Sequence, residues 1–241
     1  MEWSDTAIVL SARRHGESSA IMSVLSAAYG RHSGLVRGGA GRRAQGVLQP
    51  GNRVSLVWRA RLAEHLGTFT WEPLEPFGTR WLDDAARLAA IASACALTEM
   101  LLPEREPHGG VHDALAAWLT AIGGPDWQSL YVRWELGLLA DLGFGLDLSR
   151  CAVTGRNDQL IYVSPKSGAA VSASAGEPYR DRLLPLPPFL LSGSDGTPAE
   201  IADGLRLTGY FLERHLLGPQ GKRPPPARMR FIARIAARSA L

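Results

Sequence analysis

The chain has 241 residues, 46% of them apolar and 20% charged, and a mass of 26.0 kDa. That length allows one large domain or two small ones with a buried core, and the composition excludes intrinsic disorder. The formal net charge of +3 hides a strong asymmetry. Residues 1–30 carry a net charge of −1, whereas residues 31–61 hold seven arginines and no acid. Residues 62–221 carry a net charge of −9, and residues 222–241 hold six basic groups and no acid. Two basic blocks around an acidic middle point to a nucleic-acid partner or an anionic membrane surface. The longest nearly apolar stretch, Ala85–Leu97, contains Arg87 and is too short to span a bilayer. The start, Met-Glu-Trp-Ser-Asp, has no basic and apolar regions of a secretory signal. Two cysteines, Cys95 and Cys151, make no disulfide framework and fit a reducing cytoplasm.

Up to about residue 78, short runs alternate apolar with polar residues between Gly-rich turns. Strands are expected at 6–13, 20–27, 32–37, 52–61 and 64–72, with room at 38–49 for a loop or one short helix. Five such strands make a small antiparallel barrel or sandwich. After Pro76-Phe77-Gly78 the pattern turns helical. Residues 81–102 are apolar nearly all round, as a buried helix is, and residues 111–122 form a second helix. Asp126 caps a third, whose Trp127, Leu130, Tyr131, Trp134, Leu138, Leu139 and Leu142 recur near helical spacing. Residues 150–177 form a hairpin module with strands at 159–163 and 169–172. A Pro-rich linker (Pro185, Pro187, Pro188) leads to a helix at 198–217, and the tail at 222–241 ends in a short basic helix. The class is therefore α+β, with domains expected at 1–78 and 79–241.

The Gly-rich run Gly34-Leu-Val-Arg-Gly-Gly-Ala-Gly-Arg-Arg43 lacks the lysine and hydroxyl of a P-loop and the spacing of a dinucleotide fingerprint. His108 and His112 are four apart, but Gly109-Gly110 between them argues for a polar loop rather than a metal-binding helix face. Cys151-Ala-Val-Thr154 is half of a CxxC, one thiol where zinc needs three or four ligands. No nucleophile elbow or activated cysteine context is present, and no set of residues names a reaction. The basic block is the informative feature. Arg31 and Arg37 flank the third strand, Arg42 and Arg43 follow in the loop, and Arg53, Arg59 and Arg61 share one face of the fourth strand by parity. Such guanidinium groups track phosphates with salt-dependent affinity, while Trp58 points to the opposite face, toward the core. For Trp58, Phe69 and Trp71, stacking on bases competes with packing inside the barrel.

These residues carry a resemblance. Gly16-Glu-Ser-Ser-Ala-Ile-Met-Ser-Val-Leu-Ser26, Tyr29-Gly-Arg-His-Ser-Gly-Leu-Val-Arg-Gly-Gly39, Leu48-Gln-Pro-Gly-Asn52, Trp58-Arg-Ala-Arg61 and Glu64-His-Leu-Gly-Thr-Phe69 resemble the start of the RecO family of recombination mediators. Arg133-Trp-Glu-Leu-Gly-Leu-Leu-Ala-Asp-Leu-Gly143, Cys151 and Ser164-Pro-Lys-Ser-Gly168 are similar to its central helix and cysteine module. The resemblance implies an N-terminal five-stranded OB-fold barrel, a helical domain and a hairpin module that holds zinc through four cysteines in many members. This chain departs there, with Thr154 in the second place and the second pair falling at Ser172 and Ala175, so a degenerate module without zinc or other cofactor is expected. The implied function is non-enzymatic: binding single- and double-stranded DNA, annealing complementary strands and, with RecR, loading RecA onto strands coated by single-strand-binding protein. Partners would include the acidic C-terminal tail of that protein, and the location would be the cytoplasm, at the nucleoid. Arg228, Arg230, Arg234 and Arg238 of the tail would extend the DNA path or meet the acidic partner. The competing readings are an adaptor whose basic blocks bind RNA or an acidic protein, and a nuclease or other hydrolase.

Overall fold

The structure, a computed structural model, describes residues 1–239, with side chains in the last helix described as far as Ala237. Its elements in chain order are β1 (Glu2–His15), β2 (Ser19–Ser26), β3 (Gly30–Val36), α1 (Arg42–Val47), β4 (Arg53–Arg59) and β5 (Thr68–Glu75). There follow α2 (Ala85–Leu101), α3 (Gly109–Ala121), α4 (Trp127–Asp141), β6 (Leu160–Val163), β7 (Ala170–Ser172), the single turn α5 (Ala173–Gly176) and β8 (Leu184–Pro185). The last are α6 (Phe189–Ser192), α7 (Pro198–Phe211) and α8 (Pro226–Ser239). Two compact units result, residues 1–120 with 225–231, and residues 121–224 with 232–241. The first unit extends past the boundary expected at residue 78, because α2 and α3 pack with the barrel.

The five N-terminal strands close into a barrel in the order β1-β2-β3-β5-β4, and β4 pairs back onto β1. This is the strand order of an OB-fold. One long strand serves two neighbours: Glu2–Ile8 of β1 pairs with β4, and Ala7–His15 pairs with β2. A bulge between Val9 and Ser11 accompanies the change of partner, as an extra residue bends a strand. The lone parallel contact, Leu35 with Thr68, joins β3 to β5. Inward residues alternate as the sequence predicts, with Val54, Leu56 and Trp58 of β4 buried and Arg53, Ser55, Val57 and Arg59 turned out. The interior is filled by Ala7, Val9, Met22, Val24, Val36, Leu56, Trp58 and Phe69, and Ala44 and Leu48 add the contribution of α1 and its end. Buried Asn52 fixes the chain there: its amide donates to the Val47 carbonyl at 2.8 Å, and its oxygen accepts from Gly78 N at 2.7 Å.

Helix α2 lies on β1. Cys95 Sγ donates to the Val9 carbonyl at 3.6 Å, and Ser11 Oγ donates to Glu99 at 2.6 Å. Asp84 caps the helix by accepting from Ala86 N and Arg87 N, so the helix opens at Ala85 rather than at Trp81, where the apolar run led it to be expected. In the second unit, Glu135 of α4 is fully buried and accepts from Tyr131 Oη at 3.1 Å and from Thr208 of α7. Thr197 and Glu200 form a reciprocal capping box at the start of α7. The hairpin β6–β7 forms where expected, and the Pro-rich linker contributes a third strand, β8, pairing Leu184 with Val163. The helix expected at 198–217 is α-helical to Phe211 and continues as a π-helical turn over Leu212–Leu217.

Candidate nucleic-acid interface

The seven arginines of the basic block do not form one surface. Arg31 lies in β3 with its guanidinium bridged to Glu104 at 3.2 Å and donating to the Leu102 carbonyl at 2.8 Å. Arg53 pairs with Glu75 at 2.9 Å, and Arg59 with Glu2 at 2.8 Å. Both pairs are cross-strand partners in the ladder, Arg53 opposite Glu75 and Arg59 opposite Glu2, where opposite charges attract. Arg53, Arg59 and Arg61, expected to make one phosphate-tracking face, are therefore not all free on one strand. Two of them are neutralised by carboxylates from adjoining strands, and Arg61 lies beyond the end of β4 in the loop to β5. Each pair adds little stability at the surface, yet it cancels the local field that would draw a phosphate.

Arg37, Arg42 and Arg43 are exposed and make no ion pair among the described residues. Arg37 follows Val36, which pairs with Ala20, which pairs with Arg14. Arg42 and Arg43 occupy the first turn of α1 rather than a loop. Residues Gln45, Leu48 and Gln49, in and just after that helix, share a small cleft with Arg13 and Arg14 of β1. Both of these arginines are exposed, and Arg14 donates to the Glu17 backbone carbonyl at 3.2 Å. Five arginines therefore gather at the end of the barrel that α1 closes. Gly39 brings the loop down onto β2: a Cβ there would sit 2.8 Å from that of Ala20. Gly39 thus serves close packing, whereas Gly38 supplies a left-handed turn at φ +71 with open space around it.

Arg13 and Arg14 escaped the sequence reading because they precede the acid-free block and share residues 1–30 with three acids. Their position before the hairpin turn His15-Gly16-Glu17 was the available signal, since that turn brings β1 against β2, which pairs in turn with β3. Of the aromatics weighed for stacking, Trp58 and Phe69 are buried at 2% and 4% exposure, and Trp71 packs half-buried against the same core. All three pack with the barrel core. In the tail, Arg228 is 2% exposed and so cannot offer its guanidinium to DNA, which corrects that expectation. Arg230 and Arg234 are exposed on α8, and the side chain of Arg238 lies outside the described residues.

The matches to known proteins cover both units. Residues 1–77 match the family model for the recombination protein O N terminal, and residues 82–224 match that for its C terminal. The chain belongs to the RecO family. It is 54% identical to the DNA repair protein RecO of Rhodospirillum centenum, over 97% of this chain and 94% of that one. It is also 54% identical to the RecO of Rhodospirillum rubrum, over 100% and 98%, and 52% identical to that of Methylobacterium nodulans, over 97% of each.

The zinc that the RecO resemblance implies for many members does not fit the residues of the hairpin module. Cys151 is buried, and its Sγ accepts from the Ser172 backbone N–H at 3.3 Å. Burial pushes its thiol up, but hydrogen bonds from Ser172 and Thr154 outweigh that and lower it from 9.0 to about 6. By the resemblance, the places of the other three family cysteines fall at Thr154, Ser172 and Ala175, two hydroxyl residues and one with no donor atom. Among the described residues, no three His, Cys, Asp or Glu side chains gather as a metal site would need. Cys95 lies far from such chemistry, since burial pushes its thiol up to about 12. No helix among the described residues is long and apolar enough to cross a membrane.

Proposed function

We propose that this RecO-family chain is a non-enzymatic DNA-binding mediator of recombinational repair. The observation that carries the reading is the group of five exposed arginines, Arg13, Arg14, Arg37, Arg42 and Arg43, with no carboxylate partner among the described residues, at one end of an OB-fold barrel. Guanidinium groups so placed bind phosphates of one or two strands and release their counterions. Annealing follows from the same charge: a basic surface screens the repulsion between complementary strands and raises their local concentration. Through the helical unit the protein meets the acidic tail of single-strand-binding protein, and with RecR it loads RecA onto the coated strand. Family membership supports these partner assignments.

An annealing assay on strands coated with the cognate single-strand-binding protein tests the reading. Complementary strands should anneal faster with the protein than without it, in the absence of any nucleotide, and remain full length after incubation with Mg²⁺. No acceleration, tighter binding to structured RNA than to DNA, or strand cleavage would each overturn it. The hairpin module, in this reading, is held by its ladder and by the hydrogen bonds to Cys151, without metal. Metal analysis of the purified protein should find no stoichiometric zinc, and a chelator should leave its Tm unchanged. One zinc per chain would refute this.

A further inference from the structure

The end of the barrel away from α1 is built differently. Trp3 of β1 stacks face to face with Tyr29 of the β2–β3 turn at 4.1 Å and 13°, and with Trp58 at 5.9 Å and 22°. His32 of β3 meets Trp3 and Trp58 edge-on, at 5.1 and 4.8 Å. These four rings line an open cavity of about 460 Å³, together with Arg105 and Pro107. Small-molecule sites occupy roughly 300–1,000 Å³, so the space suits one flat heterocycle.

The cavity wall is held in place from three sides. Trp58 Nε1 donates to the Leu66 carbonyl at 3.0 Å, which satisfies its polar atom and leaves its ring face for packing. Gly67, at φ +66, lets the β4–β5 loop lie on that indole, where a Cβ would be 2.3 Å from Nε1. Arg105 has a left-handed backbone, φ 65, uncommon for a residue with a side chain. From it the guanidinium donates to the Ala63 carbonyl and, at 2.9 Å, to that of His65, which clamps the same loop. Strained backbone of this kind gathers at sites that hold something. Both ring nitrogens of His32 lack a partner although the residue is 4% exposed, a costly state for a polar group.

We infer that this aromatic cavity receives an unstacked nucleobase of single-stranded DNA, a base-stacking site separate from the arginine cluster at the other end of the barrel. The inference rests on the DNA-binding reading above. Indole and phenol faces stack on any base, and sequence-tolerant stacking is how proteins hold single strands. A neutral imidazole has one donor and one acceptor, which a base edge can meet with its own ring nitrogens and exocyclic groups. An aliphatic side chain from a protein partner would leave both unpaired. Among the described residues Arg61 makes no ion pair, the Arg105 guanidinium is held by the Ala63 and His65 carbonyls, and Glu2, which also lines the cavity, keeps the local net charge low together with Glu64 and Glu106. The cavity therefore adds stacking rather than ion pairing.

Two oligonucleotides of equal length, oligo-dT and its abasic counterpart, separate stacking from phosphate binding. Wild-type protein should bind oligo-dT about tenfold more tightly, the lower range for one stacked base. Tyr29→Ala and His32→Phe should each reduce that preference severalfold while leaving abasic affinity and its salt slope near wild type, and His32→Phe should keep or raise the Tm. A variant with the five arginines of the other end changed to Gln should lose affinity for both strands and keep the preference. Wild-type protein binding neither strand would refute the DNA-binding reading itself. Equal binding of both strands, or an unchanged preference in both cavity variants, would overturn the base site alone. So would a tryptophan fluorescence response to an apolar peptide with none to thymidine monophosphate, which would assign the cavity to a protein partner.

Discussion

Changing Arg13, Arg14, Arg37, Arg42 and Arg43 together to Gln is expected to weaken single-stranded DNA binding by about 100-fold at low salt. The same change should flatten the plot of log affinity against log salt by about 3.5, since each of the five phosphate contacts on a single strand contributes about 0.7 to that slope. Changing Arg31, Arg53 and Arg59 to Gln is the matched comparison. These three carry as much formal charge per residue, but each is bridged to a carboxylate, Glu104, Glu75 or Glu2. Removing them leaves the slope within about one contact of wild type. All five residues of the first set are exposed and none makes an ion pair among the described residues, so the fold should tolerate the change. A salt titration of both variants by fluorescence anisotropy reads the result. Equal losses in the two sets would show that the ion pairs open on binding and that the DNA path runs along the strand faces after all.

The contrast between these two sets marks what the sequence could and could not convey. Alternation put Trp58 on the face opposite Arg53 and Arg59, toward the core, and the structure buries it there with Val54 and Leu56, because a strand with one buried face has a period of two. The same periodicity turned Arg53 and Arg59 outward, correctly, but gave no account of what stands opposite them. Arg59 meets Glu2, 57 residues away, and Arg31 meets Glu104, 73 residues away. A stretch free of acids in sequence is therefore not free of them in space. The start of β5 was obscure for a related reason. Residues 64–67 have a strand-like composition, yet they belong to a loop whose carbonyls are taken by Arg105, some 40 residues on. The cavity was invisible altogether, since Trp3, Tyr29, His32 and Trp58 come from three strands and a turn and meet only when the barrel closes.

Acid should destabilise this protein specifically through His32. Burial holds its imidazole down at about 4, against an ordinary value of 6.5, with the Arg105 charge acting in the same direction and Glu104 opposing it. Between those two values the unfolded chain takes up a proton that the folded one refuses, so stability falls as pH drops from about 6.5 to about 4. Above pH 6.5 both states are neutral at this site and the effect vanishes. A shift of this size corresponds to about 3 kcal/mol across the window. His32→Phe keeps an aromatic ring beside Trp3 and Trp58 and removes the titration. Urea unfolding at pH 7.5 and at pH 4.5 should show the variant gaining on wild type at the lower value, whereas a constant difference would mean that His32 titrates normally in the fold. At neutral pH the Phe variant also removes two unpartnered nitrogens from a buried position, which favours it further. If the same variant loses its preference for oligo-dT over the abasic strand, one ring is both a liability to the barrel and a contact for the base. Such opposition between stability and binding is what a functional site imposes and a purely structural aromatic cluster does not.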